Sequence, residues 1–88
     1  MTEREAKIVN QLGLHARPAA QLVRAAASFA CDIRLEKDGM EVNGKSIMGV
    51  MMLAAEFGST VRIRADGPGE TEAAAALCAL IAGGFGEA

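Results

Sequence analysis

Apolar residues in this chain recur at every second position, then at every third or fourth, and then at every second again. That switching is the strongest constraint on what the chain can fold into. Ala6-Lys7-Ile8-Val9-Asn10 reads as a first strand, ended by Gly13. Ala19, Leu22, Val23, Ala26, Ala27 and Ala30 then follow at the spacing of an amphipathic helix. Ile33 and Leu35 alternate with Asp32, Arg34 and Glu36, Asp38-Gly39 signals a hairpin turn, and Met40 and Val42 carry the alternation back. A short apolar helix follows Ser46. Val61, Ile63 and Ala65 alternate with Thr60, Arg62 and Arg64 in a fourth strand, which Asp66-Gly67-Pro68-Gly69 breaks. Residues 70–82 form a last helix with Ala73, Leu77, Leu80 and Ile81 inward. Glu70 and Glu72 complement the positive end of its dipole, and Gly83-Gly84 provides a left-handed stop.

The order β-α-β-β-α-β-α, with aliphatics on one face of the strands and charge on the other, predicts an α+β fold. It is a two-layer sandwich, one domain over residues 1–88. Its outer sheet face, with Arg34, Glu36, Glu41, Arg62 and Arg64, reads as solvated. The net charge of −2 argues against non-specific nucleic-acid binding, which rests on clustered positive charge. Three Phe with no Tyr or Trp also remove the platforms on which single-stranded nucleic acids stack. Cys31 and Cys78 are far apart, so with one His they make no metal site, and both are expected as small buried thiols. Residues 1–5 offer no apolar signal segment, and the longest apolar runs, 47–55 and 73–82, are too short to cross a bilayer. The expectation is a monomeric, cytoplasmic protein with no cofactor and no membrane insertion.

Chemistry concentrates in Leu14-His15-Ala16-Arg17-Pro18-Ala19-Ala20. Pro18 fits the first turn of a helix, which places the only histidine, His15, at or next to the N-cap. The N–H groups of Ala16 and Arg17 then favour an anion, and the Arg17 guanidinium adds a fork suited to phosphate oxygens. A neutral imidazole can attack a phosphoryl donor, and phosphoryl transfer asks a protein mainly for alignment and charge stabilisation. No general acid, metal cluster or second carboxylate lies beside His15 in sequence, which suits a carrier better than a hydrolase. A surface histidine beside a solvated arginine is the bland alternative.

Gly13-Leu14-His15-Ala16-Arg17-Pro18-Ala19, together with Gly44-Lys45-Ser46-Ile47-Met48-Gly49-Val50-Met51, resembles the HPr family. These are the histidine-containing phosphocarriers of the phosphoenolpyruvate-dependent phosphotransferase system. The resemblance implies an open-faced sandwich whose four-stranded antiparallel sheet has the order 1-4-2-3, with three helices on one face. It implies that His15 takes a phosphoryl group on Nδ1 from enzyme I and passes it to an enzyme IIA, with Arg17 steadying it. It also implies that Ser46 is a regulatory site, modified in some bacteria by HPr kinase/phosphorylase. The family includes a nitrogen-related branch whose carriers feed regulation rather than sugar uptake.

Ser46 is a good N-cap for the apolar run after it. At helical spacing Val50, Leu53, Ala54 and Phe57 share one face and are expected to seal the core, while Ile47, Met48 and Met51 form a second, exposed docking face. A phosphoserine there would add negative charge beside that apolar face and oppose docking. Gly39-Met40-Glu41-Val42-Asn43-Gly44-Lys45-Ser46 also satisfies the pattern of a nucleotide-binding phosphate loop. Its inner residues alternate like a strand, however, and no aliphatic run ending in Asp supplies a magnesium ligand.

Overall fold

Cross-strand ion pairs set where the sheet begins. In the computed structural model, which describes residues 1–87, the first strand, β1, is Thr2–Lys7 rather than residues 6–10, and Ala88 lies outside the described residues. Glu3 and Glu5 face Arg64 and Arg62 in register on a neighbouring strand and pair with them at 3.0 and 3.3 Å. A run of charges that looks like a polar lead-in is therefore the wet face of an edge strand. Ala6 and Ile8 point the other way, into the core.

The remaining elements are α1 (Ala16–Ala27), β2 (Asp32–Lys37), β3 (Met40–Asn43), α2 (Ile47–Met52), β4 (Thr60–Asp66) and α3 (Glu70–Ala82), followed by a 3-10 turn, Gly84–Gly86. The sheet order is β1-β4-β2-β3, with every neighbouring pair antiparallel. Ile33, Leu35, Val61, Ile63 and Ala65 project from one face and are fully buried with Leu22, Ala26, Val50, Ala73, Leu77 and Ile81 of the helices. The other face carries Arg64 between Glu3 and Glu41, and Arg62 between Glu5 and Glu36. This is the open-faced sandwich expected from the alternation, its outer face laced by ion pairs.

Several local expectations shift. The first helix starts at Ala16 and ends at Ala27. Its pattern continued to Ala30, but Ser28 turns the chain by bonding the Ala25 carbonyl through both its N–H and its Oγ. Leu80 is only half-buried, while Ala74 takes a core position. Gly84, at φ +68°, is the left-handed residue after α3, whereas Gly83 has a negative φ. Cys31 is buried as expected, but Cys78 is only half-buried, because it lies where α3 crosses the edge strand and bonds the Glu5 carbonyl. Among the described residues, no helix is long and apolar enough to cross a membrane.

Candidate functional site

The loop between β1 and α1 is locked before the helix begins. Gly13 has φ +68°, and a Cβ there would meet the Ala55 carbonyl oxygen at 2.4 Å, so only glycine lets the two loops approach. Leu14 N–H bonds that same Ala55 oxygen at 2.9 Å, and His15 N–H bonds the Gly13 carbonyl at 2.9 Å. His15 is consequently the N-cap of α1, with extended backbone, and its carbonyl accepts the first helical bond from Ala19 N–H at 2.9 Å.

The residues predicted from sequence assemble around this helix start. Its first turn contains Ala16, Arg17 and Pro18; Pro18 has no N–H, so Ala16 and Arg17 supply the donors that the helix leaves unbonded. No other group among the described residues accepts from them. The Arg17 side chain is exposed and has no ion-pair partner among the described residues. The His15 side chain is 36% exposed, and its Nε2 lies 3.2 and 3.1 Å from the two carboxylate oxygens of Glu87. Nδ1 has no hydrogen-bond partner among the described residues. Bonding to His15, and then to Asn10, holds the Glu87 carboxyl below the usual carboxylate range, with Arg17 contributing through its charge.

Glu87 and Asn10 were not anticipated. Asn10 is 1% exposed, and its amide nitrogen donates to the Gly13 carbonyl at 2.8 Å and to Glu87 Oε1 at 3.1 Å. The available signal was phase, since Asn10 continues the inward series Ala6, Ile8, and a polar residue in a core register calls for a partner. Nothing local marks Glu87. The turn after α3 brings it 72 positions back to His15, with Phe85 buried at φ +57° as the anchor.

The second motif lies on α2. Ser46 caps it, its Oγ accepting from Gly49 N–H at 3.1 Å. Ile47, Met48 and Met51 are exposed as expected, and Met52 joins them at 65%. The sealing face is smaller than expected. Val50 and Leu53 are buried, but α2 stops at Met52 and Ala54 adopts φ +51°, so Ala54 and Phe57 turn outward. The phosphate-loop pattern is not a loop at all. Residues 40–43 are β3 paired with β2, Gly44 packs on Ile33, and Lys45 Nζ is bonded to the Phe29 carbonyl at 2.7 Å.

Comparison with known proteins agrees with this arrangement over nearly the whole chain. Residues 2–83 match the family described as the PTS HPr component phosphorylation site. The phosphocarrier protein HPr of Cupriavidus necator is 53% identical over 87 residues, covering 99% of this chain and 98% of that protein. A solved HPr-C-His from Thermoanaerobacter tengcongensis superposes with a TM-score of 0.95 at 48% identity, covering 100% and 99% of the two chains. An HPr dimer solved from the same organism gives 0.79 at 48% identity, covering 99% and 100%. With the same fold and a match that spans both motifs, this chain belongs to the HPr family, the phosphocarriers of the phosphotransferase system.

Proposed function

We propose that His15 accepts a phosphoryl group on Nδ1 from phospho-enzyme I, ultimately from phosphoenolpyruvate, and passes it to an enzyme IIA. The observation that carries this reading is a half-exposed imidazole at the start of α1 whose Nε2 is engaged by Glu87 and whose Nδ1 has no hydrogen-bond partner among the described residues. In the loading step the Nδ1 lone pair attacks phosphorus, the N–P bond forms, and the donor's bond to phosphorus breaks with its electron pair leaving on the donor. Unloading reverses this toward the acceptor. The N–H groups of Ala16 and Arg17, with the Arg17 guanidinium, hold the phosphoryl oxygens during both steps. Ile47, Met48 and Met51 form the face on which the partners dock, and the working unit is the single chain in the cytoplasm.

A second reading rests on Ser46. Its hydroxyl caps α2 beside the exposed Ile47 and Met48, so a phosphate there would place about −1.5 to −2 charges at the docking face. In this reading HPr kinase/phosphorylase switches docking off, and the chain acts mainly in regulation. Labelled phosphoenolpyruvate with enzyme I separates the two readings. The first predicts acid-labile, alkali-stable label that disappears in His15→Ala and persists in Ser46→Ala. Acid-stable label that appears only with ATP and the kinase supports the second. No label on His15 overturns the first.

A further inference from the structure

Glu87 reaches His15 from the far end of the chain, and the contact is built rather than incidental. Its two oxygens face Nε2 at 3.2 and 3.1 Å, and one of them also accepts from the Asn10 amide at 3.1 Å. Asn10 is buried and fixed by its second bond, to the Gly13 carbonyl of the loop that ends in His15. The segment that delivers Glu87 is anchored by buried Phe85 and flanked by Gly84 and Gly86 at φ +68° and +74°. An ionised carboxylate can only accept hydrogen bonds, so Nε2 must be the ring nitrogen that carries the proton.

We propose that Glu87, oriented by Asn10, is the positioning residue that holds His15 as its Nε2–H tautomer and compensates the charge the ring acquires when it carries phosphate. This rests on the reading that His15 is phosphorylated. The consequences follow from electron counting. With the proton on Nε2, Nδ1 keeps its lone pair and can form the N–P bond without any proton moving. The ring then becomes a phosphoimidazolium that still bears the Nε2 proton, and its positive charge lies against the Glu87 carboxylate. When the N–P bond breaks toward the acceptor, its electron pair returns to Nδ1 and a neutral imidazole remains, again without proton transfer. The opposite tautomer has its proton on Nδ1 and no lone pair there to attack with. A carboxylate behind a histidine fixes ring orientation and tautomer in this way in triads and metal sites. Its negative charge meets the nitrogen facing away from Nδ1, while the phosphoryl group is left to Arg17 and the amides of α1.

The test uses the full chain and Glu87→Gln, whose amide keeps the shape but loses the charge and the acceptor-only character. Ring nitrogen NMR shifts of His15, read in mildly alkaline buffer, report the tautomer in the free protein. The expected result is Nε2–H almost alone in the parent and a mixture in Glu87→Gln, with the backbone amide spectrum otherwise unchanged. Phosphoryl uptake from phospho-enzyme I should slow about 10-fold in the variant, the lower range for loss of such an outer partner. Glu87→Asp, which keeps the charge, should regain part of both. Parent-like ring shifts in Glu87→Gln overturn the proposal, and so does a changed ring with an unchanged transfer rate. The shift measurement needs no partner, so a parent protein that shows the tautomer but never takes label refutes the phosphocarrier reading of His15 and not the geometry of the clamp.

Discussion

At the scale of single residues, the proposed transfer through His15 would depend on charge placed near Nδ1 rather than on acid–base machinery. Arg17 is exposed, unpaired among the described residues, and one position from a helix start that already favours anions. Arg17→Ala should leave the thermal midpoint unchanged, because the side chain contributes no buried contact. It should slow phosphoryl transfer about 100-fold, the low end of what loss of one transition-state donor costs. Rapid-quench measurement of label on His15 decides it, and an unchanged rate removes the guanidinium from the site. His15, Ala16, Arg17 and Pro18 were legible because a helix start is a local object: proline, spacing and the preceding glycine all lie within six positions. Glu87 was illegible for the opposite reason. Its partner lies 72 residues away, and only the packing of α3 and the turn after it makes the two neighbours.

At the scale of elements, alternation gave the sheet its faces, the family resemblance supplied the order 1-4-2-3, and alternation failed where an element's length was inferred from its pattern. The strand phase of Ile33, Leu35, Val61 and Ile63 matched because each of these residues faces the helices. The charged start of β1 went unread because nothing within it is apolar; its partners are arginines on β4, about 60 positions along the chain. Phe57 was assigned to the core by extending α2 beyond Leu53, whereas Ala54 at φ +51° ends the helical phase and sends Phe57 to the surface. The outer face of α2 needed no such extension, since Ile47, Met48 and Met51 lie within two turns of the Ser46 cap. Met48 is 76% exposed, so Met48→Asp should weaken binding to enzyme I at least about 10-fold while changing unfolding free energy by no more than about 0.5 kcal/mol. Calorimetric titration with enzyme I and denaturant unfolding read the two effects separately. Unfolding of the variant would show that this methionine is core.

For the whole molecule, α3 is clasped at both ends by a carboxylate. Beyond its C-terminal end Glu87 holds Asn10 and His15, and at its start Glu70 holds β1. Glu70 accepts from the Thr2 hydroxyl at 2.7 Å and from Gly67 N–H at 3.1 Å, and the terminal ammonium lies 3.0 Å away. The Thr2 hydrogen bond, followed by that of Gly67, brings the Glu70 pKa down from 4.5 to about 2. A carboxyl whose folded pKa is depressed favours the fold when ionised. Its contribution is therefore complete above the unfolded value of 4.5 and drains away as pH falls toward 2. Glu87, depressed in the same direction, acts with the same sign. Thr2→Val keeps the shape and strand propensity of the residue but removes the hydroxyl. Carboxyl NMR titration should show the Glu70 pKa moving up toward 4.5, and urea unfolding compared at neutral and acid pH should show a smaller loss of stability on acidification. Phosphoryl transfer by His15 should be untouched, since Thr2 lies at the opposite end of β1 from the His15 loop. A Glu70 titration identical to the parent's would mean that the Gly67 amide and the ammonium hold the charge without help from β1, leaving the strand joined to α3 by packing and by the Cys78 bond to the Glu5 carbonyl.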